Sequence, residues 1–412
     1  MKNQNRIIPK IRFINFNDKW KYKTLDEISN AIEYGINAPA KDFDGIHKYL
    51  RITDIDDTSR LFLNVKLSSP DVNFTEENYE NYKLQKNDLL FARTGASVGK
   101  TYLYRESDGE VYYAGFLIRA RLHDSYDGNF VFQQTLTDKY KQFIDITSQR
   151  SGQPGVNGKE YGDWKIGITS YSEQSAIGSL FRTLDGLLAS YKDNLANYQS
   201  LKATMLSKMF PKAGQTVPEI RLDGFEGEWE VVNLGTLIDN YDEIISGESG
   251  FPITTSSRKG LYLQNDYFEG GRTGIDLTLD FHRVPMGYVT YRHMSDDSIF
   301  KFNKNNFETD VLVSKEYPVF MSNDSSDIDF LLYHLNNSRL FLRFSTMQKL
   351  GGTRVRLYYK NLITYKLAVP TIKEQQAIGS YFSNLDNLIN SQQEKISQLE
   401  TLKKKLLQDM FI

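Results

Sequence analysis

The chain has 412 residues with 50 Lys and Arg against 52 Asp and Glu, so its length predicts two or three domains and its net charge of −2 excludes a uniformly basic surface. The absence of cysteine excludes disulfides, thiolate nucleophiles and zinc sites that need cysteine ligands. Nowhere do about 18 apolar residues follow one another, and we therefore expect a soluble protein that is not secreted.

The N-terminal part of the chain is predicted to be a globular segment rich in strands. Runs of β-branched and aromatic residues at 48–55, 88–93 and 101–104 are separated by Gly, Asn and Asp. Such short runs between turn residues are typical of strands in a mixed α/β domain.

Residues 95–101, Gly-Ala-Ser-Val-Gly-Lys-Thr, are similar to a phosphate-binding P-loop. A P-loop has four residues between its glycines and a helix after them, whereas here three residues intervene and a strand-like run follows. We therefore expect a glycine-rich turn that presents Arg93, Ser97 and Lys100 to an anion. An NTP-dependent enzyme is the alternative.

Residues 170–211 are repeated at 371–412, with 16 identities in 42 positions and no gap. Both copies carry apolar residues at heptad spacing, which predicts helices at 173–210 and 374–411. A narrow apolar stripe on so long a helix needs a partner, and we expect the two helices to pair as an antiparallel coiled coil rather than to lie on separate domains. The predicted helix-pairing residues are Ile177, Leu184, Leu187, Leu201, Ile378, Leu385, Leu388 and Leu402.

The opening of the chain is also repeated, after a predicted linker at 211–218. The pattern Pro-x-Ile-Arg, then Phe, then Trp occurs at 9–20 and again at 218–229. The globular segment that follows has a strand-like run at 287–292 but only scattered similarity to the first one. The chain is therefore a tandem duplication in which the helices are repeated and the globular segments differ.

Seven Lys and Arg residues lie between positions 339 and 367 without one Asp or Glu, interleaved with aromatic residues. Lys and Arg neutralise phosphates, and Arg also reads guanine edges in the major groove. This segment is a candidate nucleic-acid surface, and a solvated basic surface over an aromatic core is the alternative.

The residue patterns of catalytic sites are mostly missing. No two prolines are adjacent, so the Asn-Pro-Pro or Asp-Pro-Pro signature of methyl transfer to an amino group does not occur. The five histidines have no metal-ligand spacing. We predict neither a catalytic nor a metal site in this chain.

Three features of the chain resemble the specificity subunits of type I restriction-modification systems. The first is the helix start Glu-Gln-x-Ala-Ile-Gly-Ser at 173–179 and 374–380, and the second is the repeated opening at 9–20 and 218–229. The third is the pair of strings at 49–55 and 89–100, which look like strings of the family's target-recognition domains. The resemblance covers nearly the whole chain.

The resemblance implies an α+β fold in which two mixed α/β target-recognition domains, related by pseudo-two-fold symmetry, are joined by two long helices in an antiparallel coiled coil. The expected division is a first recognition domain at 1–169, a central helical spacer at 170–211, a second recognition domain at 212–370 and a C-terminal helical spacer at 371–412.

The resemblance also implies a non-catalytic, sequence-specific subunit that binds double-stranded DNA, reads a bipartite asymmetric target and acts in the cytoplasm in defence against foreign DNA. The expected partners are two modification subunits, which bind S-adenosylmethionine and methylate adenine, and two restriction (motor-nuclease) subunits, which use ATP and Mg. No cofactor is expected in this chain itself. The alternative is a stand-alone DNA-binding scaffold without restriction partners.

Candidate DNA-binding residues come from the strings at 49–55 and 89–100, from the run at 287–292 and from the basic segment. They are Arg51, Arg93, Thr94, Ser97, Lys100, Arg292, Lys349, Arg354, Arg356 and Lys360.

Overall fold

The computed structural model describes residues 8–150, 152–267, 276–349 and 354–412. Its internal contacts divide the chain into a first unit, Met1–Asp193 with Gln393–Ile412, and a second unit, Asn194–Gln392. Each unit combines a strand-rich segment with parts of both long helices. The predicted α+β class is confirmed.

The first unit is built around an antiparallel sheet of strand order β2-β9-β6-β7. Smaller pairs are β1 with β10, β3 with β5 and the parallel pair β4 with β8. Its strands are β1 Lys21–Thr24, β2 Ser29–Tyr34, β3 Ala40–Asp42, β4 Lys48–Leu50, β5 Ser68–Pro70, β6 Asp88–Ala92, β7 Thr101–Leu103, β8 Val111–Tyr113, β9 Leu117–Leu122 and β10 Lys165–Ile168. Its helices are α1 Gly128–Gln134, α2 Asp138–Thr147, α3 Gly158–Gly162 and the first part of α4 Tyr171–Lys208.

The second unit has a central antiparallel sheet of order β12-β21-β17-β19 and a three-stranded sheet of order β13-β16-β20. Its strands are β11 Glu230–Asn233, β12 Ile238–Tyr241, β13 Ile244–Ser246, β14 Thr254–Ser257, β15 Gly260–Leu263, β16 Asp280–Val284, β17 Val289–Tyr291, β18 Met294–Ser295, β19 Phe302–Lys304, β20 Val311–Ser314, β21 Val319–Ser322, β22 Val355–Arg356 and β23 Lys366–Val369. Its helices are α5 Gln264–Tyr267, α6 Ile328–Asn337, α7 Arg339–Met347, α8 Tyr359–Leu362 and the first part of α9 Ile372–Asp409.

The repeated helix start ties each long helix to its own unit. Glu173 is fully buried and accepts two hydrogen bonds from Arg12, at 2.6 and 2.7 Å, and Glu374 accepts two from Arg221, both at 2.7 Å. Because a buried carboxylate is costly unless it is paired, the Arg of the repeated opening and the Glu of the repeated helix depend on each other.

The Gln and Gly of the same motif position a shorter helix. Gln174 Oε1 accepts a hydrogen bond from the backbone N–H of Asp127, whose side chain caps α1. A Cβ at Gly178 would lie 2.4 Å from Asp127 Oδ1, so this approach needs glycine. The second unit repeats the arrangement, since a Cβ at Gly379 would lie 2.6 Å from Asp327 Oδ1.

The two long helices pair through a strict heptad series in which steps of four and three residues alternate. Each position of the series is buried or half-buried, and each position in α4 recurs in α9 201 residues later. The series is Ile177, Phe181, Leu184, Leu188, Tyr191, Leu195, Tyr198, Lys202, Met205 and Met209 in the first copy, and Ile378, Phe382, Leu385, Ile389, Gln392, Ile396, Leu399, Lys403, Leu406 and Met410 in the second.

Ion pairs show that the helices run antiparallel in each unit, as predicted. In the first unit Lys192 Nζ lies 2.7 Å from Glu400 and Asp185 lies 2.5 Å from Lys403 Nζ, so the partner number falls as the α4 number rises. The second unit has the matching pair Lys202 and Asp386, and Phe210 stacks on Phe382 with ring centres 6.2 Å apart.

The eight residues predicted to pair the helices divide into two groups. Ile177, Leu184, Ile378 and Leu385 are 1–6% exposed and belong to the heptad series. Leu187, Leu201, Leu388 and Leu402 are 42–44% exposed and lie one residue before a series position. The sequence pattern selected them because they are leucines, whereas the strict series places Leu188, Lys202, Ile389 and Lys403 in the seam.

The aromatic residue after each long helix completes the core of a unit. Phe411 packs against Trp20, Phe130 and Phe181 in the first unit. Phe210 contacts Trp229 and Phe330 in the second unit. Each core therefore contains the beginning of one long helix and the end of the other.

The heptad series predicts different costs for two leucines of one helix. Leu385→Ala should lower the free energy of unfolding by about 2–4 kcal/mol, because Leu385 is 5% exposed, whereas Leu388→Ala, at 42% exposed, should lower it by less than about 1 kcal/mol. Urea unfolding of the two variants measures the difference. Equal losses would contradict the observed seam.

Buried His334 predicts a dependence of stability on pH. It contacts Phe210, and its Nε2 lies 2.8 Å from the Tyr365 hydroxyl. Burial lowers its pKa from 6.5 to about 4, so its contribution to stability is complete above about pH 6.5 and is lost as the pH falls towards 4. From pH 7.5 to 5 this loss amounts to about 2 kcal/mol.

The control variant is His334→Gln, since Gln134 occupies the matching position of the first unit, seven residues after the N-cap Asp127, as His334 is seven residues after the N-cap Asp327. Unfolding free energies at the two pH values should show a smaller difference in this variant than in the wild-type chain. An unchanged difference would show that other groups titrate in this range.

Candidate nucleic-acid interface

A two-stranded ribbon in the second unit brings three of the predicted arginines together. Strand β18 pairs antiparallel with β22, so that Met294 lies opposite Arg356. Arg292, Arg354 and Arg356 are exposed, and neighbouring Ser295 and Val355 are buried. The ribbon therefore has a basic, exposed outer face and a buried inner face.

Only one of these arginines has a carboxylate partner among the residues that the structure describes. Arg354 Nε donates to Asp296 at 2.8 Å, and both side chains are more than half exposed, so the pair contributes little to stability. The guanidinium groups of Arg292 and Arg356 face solvent. Lys349, after α7, and Lys360, in α8, are also exposed.

In the first unit, Arg93 and Thr94 belong to a comparable short pairing. Thr94 forms an antiparallel bridge with Gly155, and Val156 N–H donates to the Arg93 carbonyl at 2.9 Å. The Arg93 guanidinium lies 5.3 Å from the ring centre of Tyr34 and 5.7 Å from that of Phe116. The two rings are 42% and 60% exposed, so they hold a cation at the surface.

The glycine segment forms a turn rather than a phosphate loop. Gly95–Ser97 is a single 3₁₀ turn, Ser97 is half-buried, and strand β7 starts at Thr101 in place of a helix. Gly99 has φ of +82°, and a Cβ there would lie 2.7 Å from Ile144, so this position needs glycine for both conformation and space.

Lys100 and Arg51 hold neighbouring turns. The Lys100 side chain is 8% exposed, donates to the Ile55 carbonyl at 3.0 Å and forms an ion pair with Asp57. Arg51 makes two hydrogen bonds of 2.9 Å to Asp54, which raise the pKa of Arg51. Both have protein partners here, and their contact with DNA stays a prediction.

Sequence reasoning missed the residues across the first ribbon. Gln153 and Gly155 lie beside Thr94 although about 60 positions separate them in the chain. Tyr34 and Phe116, which flank Arg93, were missed for the same reason. A β-branched run signals a strand but does not identify its partner.

Within the described ranges, no group of three or more His, Asp or Glu residues could hold a metal ion. No helix in that part of the chain is long and apolar enough to cross a membrane.

A scaffold that is repeated in detail and carries two different surface ribbons defines the class of the protein, a tandem repeat of two α+β units. A family model described as "Type I restriction modification DNA specificity domain" matches residues 255–401. This match lies in the second half of the chain.

Two relatives from Methanocaldococcus jannaschii extend the similarity. One, provisionally named the type I restriction enzyme MjaX specificity subunit, is 22% identical over 419 residues, which cover 95% of this chain and 92% of the relative. The type I restriction enzyme MjaVIII specificity subunit is 22% identical over 346 residues, covering 79% and 78%.

The fold matches that of the S subunit of a type I restriction-modification system from M. genitalium, with a TM-score of 0.61 and 14% identity, covering 98% of this chain and 99% of that one. The chain is therefore similar over nearly its whole length to type I specificity subunits, and it has the fold of an S subunit. The non-catalytic role predicted from the sequence agrees with the names of these relatives.

The burial of Lys100 predicts a structural effect of its removal. Lys100→Met should lower the free energy of unfolding by about 1–3 kcal/mol, because the Ile55 carbonyl loses a buried donor. Lys86→Met, at an exposed site of the same unit, should change it by less than about 0.5 kcal/mol. Chemical denaturation measures both, and equal stability of the two variants would contradict this role.

Proposed function

We propose that this chain reads a bipartite, asymmetric DNA target and directs partner subunits in adenine methylation and DNA cleavage. The observation that carries the proposal is the contrast between a repeated scaffold and two unlike ribbons. The Arg12–Glu173 and Arg221–Glu374 pairs have the same geometry to within 0.1 Å, so the scaffold has no means of telling one half-site from the other.

The surfaces that differ are suited to two different DNA sequences. The ribbon of the second unit presents Arg292, Arg354 and Arg356, whereas that of the first presents Thr94 and Gln153. Guanidinium groups contact phosphates and guanine edges, while an amide and a hydroxyl contact other base edges. Two unlike surfaces on one chain give an asymmetric target.

The partners supply the chemistry. Two modification subunits would bind S-adenosylmethionine and methylate an adenine flipped out of the duplex, and two motor-nuclease subunits would use ATP and Mg to translocate and cut DNA. The complex would act in the cytoplasm, where foreign DNA is met. The long helices offer apolar surface for the modification subunits, since Leu187 and Leu402 in the first unit and Leu201 and Leu388 in the second are 42–44% exposed.

Exchanging one globular segment tests the proposal. Replacing residues 24–169 by the equivalent segment of another family member, in a complex with the modification subunits, should change only one half of the methylated motif. A point variant in the second unit, Arg356→Ala, should weaken binding to the cognate site by about 1–3 kcal/mol. It should also relax the base preference at one position of the half-site that the second unit reads. Sequencing of methylated adenines across a genome reads both results.

Three outcomes would contradict the proposal. A domain exchange that altered both half-sites would show that recognition is shared across the units. If no methyltransferase co-purifies with the expressed chain, and the chain alone binds DNA, a stand-alone scaffold would be favoured. Failure of both the chain and the complex to bind DNA would exclude DNA recognition.

A further inference from the structure

The same backbone element occurs in both units and carries different side chains. In the first unit, Val156 N–H donates to the Arg93 carbonyl at 2.9 Å, and in the second, Leu357 N–H donates to the His293 carbonyl at 2.8 Å. The next residue of the first strand forms an antiparallel bridge in each case, Thr94 to Gly155 and Met294 to Arg356. We call this element the recognition ribbon, residues 92–95 with 153–156 in the first unit and 292–295 with 354–357 in the second.

The inner side of each ribbon is held by aromatic rings. Arg93 lies 5.7 Å from the ring centre of Phe116, and His293, at the matching position, lies 6.4 Å from that of Tyr317 and 5.6 Å from that of Tyr358. Phe116 directly precedes β9, and Tyr317 lies two residues before the equivalent strand β21. These rings pack against the side chains at positions 93 and 293, which point to the face of the ribbon opposite Thr94 and Met294.

The outer sides of the two ribbons differ in charge and size. Residues opposite each other in an antiparallel pair share a face, and so do residues two apart in one strand. The outer face of the second ribbon therefore combines Met294 with the exposed residues Arg292, Arg354 and Arg356. In the first ribbon, Thr94, Gln153 and Gly155 match Met294, Arg354 and Arg356, whereas Ala92, at the position of Arg292, is buried.

We infer that the outer face of the recognition ribbon reads bases, and that residues 153 and 155 in the first unit and 354 and 356 in the second determine the sequence of each half-site. This inference rests on the proposed function. The major groove admits a two-stranded ribbon, and there Arg contacts guanine O6 and N7 while Gln contacts adenine N6 and N7. The second unit reads a half-site that contains guanine, and the first reads one that contains adenine at the position of Gln153.

Exchange of the outer residues between the units tests the inference. The double variant Gln153→Arg with Gly155→Arg gives the first ribbon the residues of the second, and Arg354→Gln with Arg356→Gly does the reverse. Each is assembled with the modification subunits, and methylated motifs are read by genome-wide sequencing. The first variant should change only the half-site of the first unit, gaining guanine, and should methylate the original site roughly tenfold to hundredfold more slowly.

The control is Asn64→Arg, which adds one positive charge at an exposed residue of the first unit that is not part of the ribbon. It should leave the motif unchanged. If the first double variant fails to assemble, Gln153→Glu alone, at an exposed position, should replace adenine by cytosine at one position of the same half-site, because a carboxylate accepts from cytosine N4.

The outcomes separate this inference from the proposed function. If the wild-type complex methylates a bipartite motif and the ribbon variants keep that motif at the wild-type rate, the ribbon does not read bases and the inference is wrong. If the wild-type complex shows no sequence preference at all, the proposed function itself fails.

Discussion

The structure depends on one constraint, which is that neither long helix can bury its narrow apolar stripe without the other. The heptad series of α4 recurs in α9 at a distance of 201 residues, and the two helices run antiparallel. The first half of α4 therefore packs on the second half of α9 in the first unit, and the second half of α4 packs on the first half of α9 in the second unit. Because each core is closed by an aromatic residue from the far end of the opposite helix, Phe411 or Phe210, neither half of the chain completes its own core. This reciprocal pairing explains why each of the two units contains parts of both long helices.

Buried polar groups fix the register of the two helices, which apolar packing alone would not determine. Glu173 and Glu374 are removed from water and each pairs with the arginine of the repeated opening, so a shifted helix would leave a buried charge without its cation. Gln392 lies in the series at 8% exposed, and Lys202 and Lys403 place their amines against Asp386 and Asp185. A purely apolar seam would tolerate a slip of one heptad, whereas these groups match in one register.

The helices and their pairing could be predicted from the sequence because their signal is local and repeated. Both helices begin two residues before the predicted start, and the stripe was identified but misplaced by one residue at Leu187 and Leu201. A count of apolar residues assigns Leu201 rather than Lys202 to the position between the helices. The aliphatic part of a lysine side chain can nevertheless pack between two helices while its amine forms an ion pair at the edge. The ribbons were beyond such reasoning, since the partner of Thr94 lies about 60 residues away and is a glycine. The basic segment contains Arg354 and Arg356, which the structure places in the ribbon of the second unit, whereas no comparable cluster marks Gln153 in the first.

The division of the chain into units also affects the order in which they can fold during synthesis. The second unit is continuous, Asn194–Gln392, whereas the first is interrupted and needs Gln393–Ile412. On the ribosome, the segment made first therefore waits for the segment made later, with the surfaces of Trp20, Phe130 and Phe181 uncovered until Phe411 emerges. The unit that is translated second can close first. A nascent chain that stops short of residue 411 leaves an exposed aromatic cluster, which is the kind of surface that chaperones and proteases bind.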